Sequence, residues 1–323
     1  MPKTQMNKNY LLSTFLIVIA AVGGWWWGTN QNKITNDHHD GLKDDVIAPQ
    51  RLALEEEAFL STLQPLRLRL IQMVNDLPDE AVSMYLEYLP TGANIDINKE
   101  GRMWPASLPK LPLAMSVLKK VEKGQWRLDD ELVMLPDDRN ENWGTLFKDP
   151  IGTRYTIEKL VTEVLVHSDN TAFEILYRNM DQAETIQISE SMGLDALFDK
   201  EGKVSAKEYA RIIRSLYVAN YVSPDSSRFI INKLADTPYD QRYLGAGFPT
   251  DAQWAHKIGE DNSNESVLDA GILYIGNRRM LMVVMINYSL LGGGDPGLAK
   301  ADELMKEFGT VIYDYLEDGK MAL

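Results

Sequence analysis

The chain has 323 residues, 45% hydrophobic and 25% charged, which is globular composition with length for one large domain or two ordinary ones. Its formal charge of −14, with 47 acidic against 33 basic side chains and no basic stripe, argues against a nucleic-acid partner, because phosphate binding needs clustered Lys and Arg. The lack of cysteine excludes disulfides, thiolate catalysis, zinc–thiolate sites and a lipid-modified cysteine.

Tyr10 to Trp27 runs 18 residues without a charge, roughly 27 Å as a helix, which matches a bilayer core. Lys3 and Lys8 precede it, so the positive-inside tendency keeps the amino terminus cytoplasmic and puts the rest of the chain outside. Trp25, Trp26 and Trp27 suit the outer membrane interface and favour an uncleaved anchor over a signal peptide cut near Ala21-Val22-Gly23. Residues 1–30 are therefore expected to be a single-pass anchor in the cell membrane. Residues 31–48 are polar and charged and read as a flexible linker, in which His38 and His39 lack the rigid scaffold that a metal site requires.

Residues 49–323 are expected to form one domain. Leu52, Leu54, Phe59, Leu60, Leu63, Leu66, Leu68, Leu70, Ile71 and Val74 recur at helical spacing around Pro65, which predicts two short helices or one kinked there. Ala81 to Leu89 reads as a strand, Thr91 to Asn94 as a turn, and Ile95 to Met103 as the hairpin partner. This hairpin leads into Ser107 and Lys110, three residues apart at the start of an apolar helical run, which puts a hydroxyl and an amine on one face. A nucleophile beside its base has that geometry. So does a serine N-cap with a solvated lysine, and Ser116 with Lys119 repeats the spacing.

A helical run from Thr156 to Val166 ends in His167-Ser168-Asp169-Asn170, which by itself reads as an interhelical turn capping a helix from Thr171 to Met180. Another helix is expected over 205–218. Later, Trp254 to Gly259 precedes two strands, Asp269 to Ile275 and Arg279 to Tyr288, joined by Gly276-Asn277. Lys257-Ile258-Gly259 then lies on a strand, with Gly259 allowing close approach to the backbone. Lys99 and Lys200 also start a Lys-x-Gly triplet, but neither precedes a clear strand pair.

The order of hairpin, Ser-x-x-Lys helix, Ser-Asp-Asn turn, Lys-x-Gly strand and final helix resembles the penicillin-recognising serine hydrolases, particularly class A β-lactamases and D,D-peptidases. The likeness runs from about Leu66 onward and is carried by Pro105-Ala106-Ser107, Ser168-Asp169-Asn170-Thr171-Ala172, and Ala255-His256-Lys257 with Asp269-Ala270-Gly271 behind it. It implies an α/β fold of the α+β kind, with an antiparallel five-stranded sheet flanked by helices, an all-helical subdomain, and the site between them. In such enzymes Ser107 would attack a carbonyl, a neutral Lys110 would take its proton, and Ser168 would pass that proton to the leaving nitrogen. Asn170 would hold a substrate amide, Lys257 would attract an anionic substrate, and Gly259 would admit it. Backbone N–H groups of Ser107 and Glu260 would form the oxyanion hole, each donor worth about 3 kcal/mol. No metal and no cofactor are implied.

Two departures stand out. Ile258 replaces the Thr or Ser usual between lysine and glycine, losing a hydroxyl worth about 1.5–3 kcal/mol to a substrate carboxylate. The Glu-x-x-Leu-Asn motif with which class A β-lactamases activate water is missing, and Glu190, Glu201 and Glu208 are expected to be solvated charges. His256 should face away from Lys257 on its strand, and His167 has no identifiable acid to make a triad. The expected activity is acyl transfer on cell-wall peptides or related amides. The alternatives are β-lactam hydrolysis and a ligand-binding module without turnover.

Overall fold

The computed structural model describes residues 56–181 and 198–318, with residues 188, 190 and 191 between them. The expected anchor and linker lie outside the described residues. No helix among the described residues is long and apolar enough to cross a membrane.

The first helix, α1 (Glu56–Val74), carries Pro65 inside it, so one continuous helix forms where two short ones were a possibility. The strand β1 (Val82–Tyr88) pairs with β2 (Ala93–Ile97), and the expected long partner strand is divided in two. Asn98 takes φ 52° and turns the chain, Gly101 N–H bonds back to Asn98 O, and β3 (Arg102–Met103) joins a separate ribbon with β6 (Val204–Ser205). Next come α2 (Lys110–Glu122), the ribbon β4 (Glu131–Val133) with β5 (Arg154–Thr156), and the helices α3 (Ile157–Val166) and α4 (Asn170–Arg178). The chain then runs through α5 (Ala206–Tyr217) and α6 (Pro224–Ala235) into the strands β7 (Gln253–Asp261), β8 (Ser266–Ile275) and β9 (Arg278–Asn287), and finishes on α7 (Gly294–Asp318).

Five strands form one antiparallel sheet in the order β2-β1-β9-β8-β7, which leaves β7 on an edge. Both faces are covered, so the central strands are nearly continuous apolar runs rather than alternating ones. Alternation along each strand divides the core into two layers. Leu281, Val283 and Met285 of β9 join one layer with α2 to α6, whereas Met282, Val284 and Ile286 join another with α1 and α7. The expected five-stranded sheet is present, and the helical side carries the β4–β5 ribbon rather than being all-helical.

Local chemistry sets the helix starts. Thr156 accepts from Lys159 N, Ser223 accepts from Ser226 N, and Ser205 forms a capping box with Glu208. Glu208, expected to be a solvated charge, thus has a structural task and also pairs with Arg102. Glu201 is exposed.

Candidate active site

Ser107 lies in the turn before α2 and caps nothing: the N-cap position of that helix is Pro109. This removes the cap reading of Ser107. Lys110, in the first turn of α2, is buried, and its Nζ lies 3.1 Å from Ser107 Oγ, 2.6 Å from Ser168 O, 3.0 Å from Ser168 Oγ and 2.5 Å from Asn170 Oδ1. Lys257 reaches the same place from β7, donating to Ser168 Oγ at 2.9 Å and to Ile258 O at 2.9 Å. Five residues from three separate stretches thus converge on one point.

The hydrogen-bond inventory of Lys110 sets its chemistry. A neutral amine has two N–H donors and one lone pair. Two of its four neighbours, Ser168 O and Asn170 Oδ1, can only accept, and they are also the two closest. Both N–H groups are committed to them, which aims the lone pair at the hydroxyls of Ser107 and Ser168. Burial drives the Lys110 pKa down to about 7, against the opposing pull of Asp169 and Glu174, so a neutral amine is available near physiological pH. Lys257 is fully enclosed, and burial, followed by the charge of Lys110, holds its pKa well below that of a free lysine, opposed by Asp269.

Two residues with left-handed backbone stand next to, or among, these groups: Ala106 at φ 48° and Ser168 at φ 54°. Such conformations in non-glycine residues cost about 1–3 kcal/mol each and persist only where the surroundings enforce them. At Ser168 the enforcement comes from Asp169, which is wholly buried. Its Oδ1 accepts from Ala172 N as the N-cap of α4, while Oδ2 accepts from Thr145 N and Leu146 N at 2.6 and 2.9 Å. Gly144 makes room for it: a Cβ there would lie 2.1 Å from Asp169 Oδ2. At Ala106 the neighbour is β7, since a Cβ on Gly259 would lie 3.1 Å from Ala106 Cβ and 3.2 Å from Pro105 O. Gly259 therefore lets the edge strand that carries Glu260 come up against the segment leading into Ser107.

The remaining expectations resolve as follows. Asn170 turns its Oδ1 to Lys110 and its Nδ2 to Asn140 Oδ1 at 3.3 Å, so it joins the site to the connection between β4 and β5. The Glu260 side chain faces away, accepting from Arg242 Nη2 at 2.9 Å and Tyr243 OH at 2.7 Å. Ile258 is buried in the apolar layer on the far face of the sheet, so in this chain that position is core. His256 is on the same far face, stacked on Trp254, with Nδ1 2.7 Å from Asp269 Oδ1. His167 is exposed at the end of α3. Neither histidine makes a triad with Ser107. Asp169 as an organiser, Asn140, and Glu174 as a second acid acting on Lys110 were not foreseen. Glu174 left a sequence signal in standing four residues after Asn170 on one helix face, and Asp169 left one as a capping residue in the Ser168-Asp169-Asn170 turn.

With the fold and this cluster in view, comparison gives the class. The family described as Beta-lactamase enzyme family matches residues 66–316, and the chain belongs to it. It is thus a serine hydrolase of the β-lactamase and penicillin-binding superfamily. Beta-lactamase VEB-1 of Pseudomonas aeruginosa is 22% identical over 213 residues, covering 58% of this chain and 71% of that one. Among solved structures, PBP-A superposes with a TM-score of 0.69 at 24% identity over 79% of this chain and 97% of its own. A β-lactamase from Xanthomonas campestris pv. campestris gives a TM-score of 0.69 at 20% identity, over 79% and 98% respectively. A mutant of PBP-A is recorded as an acyl-enzyme complex with penicillin G.

Proposed function

We propose that this protein is an extracytoplasmic serine acyltransferase or hydrolase, held to the membrane by residues 1–30, that acts on cell-wall peptides through an ester on Ser107, as a D,D-peptidase does. The observation that carries the reading is the Lys110 amine, whose N–H groups are engaged by Ser168 O and Asn170 Oδ1 while its lone pair is left for the hydroxyls. The Ser107 Oγ–H bond breaks as Oγ bonds to the substrate carbonyl carbon, and the proton passes to Lys110 Nζ. As the tetrahedral intermediate collapses, its C–N bond breaks. Ser168 gives its proton to the departing nitrogen and is refilled from Lys110. Positioned acid–base groups of this kind contribute about 10²–10⁴ in rate. Once Lys110 has taken the Ser107 proton, its third N–H points at Ser168 Oγ at 3.0 Å, beside that of Lys257 at 2.9 Å. Both lone pairs of Ser168 Oγ are then engaged, and its own proton turns outward to the leaving group. The N–H groups of Ser107 and Glu260 bind the oxyanion, Asn170 the substrate amide, and Lys257 a terminal carboxylate.

A second reading, β-lactam hydrolysis, is favoured by Glu174. It lies one turn beyond Asn170 on the same face of α4 and, after Asp169, acts electrostatically on Lys110. Because Asp169 is taken up by three backbone N–H groups, Glu174 is the acid this reading assigns to activate water. The β-lactamase names of the relatives point the same way.

Incubation with a fluorescent penicillin, together with release of the terminal residue from a cell-wall pentapeptide, tests both. A label on Ser107 that lasts for hours, with pentapeptide cleavage, supports the peptidase. A label that clears within seconds, and about 10²-fold more slowly in Glu174→Gln, supports the β-lactamase. Pentapeptide binding with neither labelling nor cleavage would leave only a ligand-binding module.

A further inference from the structure

A cleft of about 770 Å³ opens beside the segment that leads into Ser107. It is formed by the turn after β2 with β3, the turn before β6, and the β7–β8 turn. Its aromatic wall is Trp104, 39% exposed although it is a large apolar ring three residues from Ser107. The indole rests on Gly202, where a Cβ would stand 3.0 Å from Cζ3 and 3.2 Å from Cη2, and Ser266 Oγ donates to Trp104 O at 3.3 Å. The platform is therefore fixed at its back and through its own backbone, with the rest of the ring left open to the cleft.

The charge of the lining narrows the ligand. Four carboxylates face three basic side chains, a near balance of charge. Arg102 pairs with Asp199 at 3.3 Å and Lys203 with Glu201 at 2.9 Å, and Glu100 pairs outside the lining with Lys99 at 3.8 Å. Nothing there demands a strongly charged ligand, whether anion or cation. Three amide side chains, Asn98, Asn264 and Asn287, line the cleft. Asn98 Nδ2 donates to Val82 O, Asn264 Nδ2 to Asp261 Oδ2, and Asn287 Oδ1 accepts from Ser289. This leaves Asn98 and Asn264 each a second N–H and a carbonyl oxygen, and Asn287 its Nδ2, to offer a ligand. A neutral molecule with one apolar face and a rim of hydroxyl and amide groups matches this. Sugar C–H groups carry slight positive charge and sit against the negative face of an aromatic ring, while the hydroxyls meet the amides.

We propose that this cleft binds an N-acetylated pyranose, with Trp104 as its stacking surface. Its identification as a sugar of the glycan that carries cell-wall peptides rests on the function proposed above. The Cα atoms of Trp104 and Ser107 are within about 11 Å of each other by chain reach. A glycan held here delivers its attached peptide to Ser107 at raised effective concentration, so peptides still joined to glycan are the preferred substrates.

Calorimetric titration of the full-length protein in detergent with triacetylchitotriose tests the cleft. Saturable binding with a Kd of about 1 mM or tighter is expected, weakened at least about tenfold by Trp104→Ala and by Asn264→Ala, and kept within about threefold by Trp104→Phe. Absence of saturation by about 10 mM, or equal binding by wild type, Trp104→Ala and Asn264→Ala, overturns the proposal. If penicillin still labels Ser107 while the sugar does not bind, the cleft proposal fails alone. If the sugar binds but Ser107 is never labelled, the cleft stands and the acyl-transfer reading falls.

Discussion

Lys110 has two opposed properties that one residue must reconcile. Burial lowers its pKa to about 7, which supplies the neutral amine that acyl transfer needs and also makes the folded state resist the charged form. The kinetic consequence is an acylation rate that rises with pH as one group deprotonates near 7. Stopped-flow labelling with a fluorescent penicillin across pH 5.5 to 9 would read that profile. The stability consequence has a definite sign. The folded pKa lies below the 10.5 of a free lysine, so between the two values the unfolded chain binds the extra proton, and raising the pH stabilises the fold. The penalty is complete below about 7 and gone above 10.5. Relative to Lys110→Met, which lacks the titrating group, wild type should gain stability steadily from pH 7 to 10 in urea melts. A constant difference would show that Lys110 does not titrate in this range.

At the scale of the elements, the site depends on how neighbouring backbone segments hold its reacting residues. Asp169 holds the left-handed Ser168 in place by binding three N–H groups, two of them from the loop at 145–146, and Gly144 makes room for it. Gly144 has φ +95°, so Gly144→Ala meets both backbone strain and a clash with a buried carboxylate. It should cost at least about 3 kcal/mol in chemical denaturation and slow acylation by about 10²-fold. Gly259→Ala makes a milder test, because its nearest contact at 3.1 Å is the Cβ of Ala106. A small displacement there moves the turn before Ser107, so it should slow acylation about tenfold with little change in stability. Wild-type rates in both variants would mean that the turn is held elsewhere.

For the molecule as a whole, the site lies where the helical layer meets the sheet, and polar groups help to tie the junction. Arg214 on α5 donates to Tyr85 OH at 2.9 Å and pairs with Glu87, which is buried on β1. Arg214→Met strands that carboxylate and should cost about 3 kcal/mol, the low end for a broken buried pair because Arg214 is itself partly exposed. Thermal denaturation would detect the loss, and an unchanged melting temperature would show that the layers join without this pair.

Much of this architecture could be read in the chain. The individual strands, the flanking helices and the order of Ser107, Ser168-Asp169-Asn170 and Lys257 followed from hydrophobic runs and short motifs, which are local signals, and the five-stranded sheet from the family resemblance those motifs carry. What was not legible depended on contacts between distant segments. Nothing near Asp169 in sequence announces Gly144, whose absent side chain makes room for it. The division of β2 from β3 comes from the left-handed Asn98, a residue type that tolerates this conformation, which its partners Val82 and Ser83 fix here. Ile258, which looked like a lost substrate contact, is apolar because it faces the far core.

The central claim is that Ser107, with Lys110 as its base, forms an ester. Intact-mass analysis of the protein after incubation with penicillin G at pH 8 tests it most directly. The mass of wild type should rise by one whole penicillin, with the adduct mapped to the Ser107 peptide, missing in Ser107→Ala and slowed at least about 10²-fold in Lys110→Met. Wild type that stays unmodified, or the same adduct in Ser107→Ala, would contradict the account.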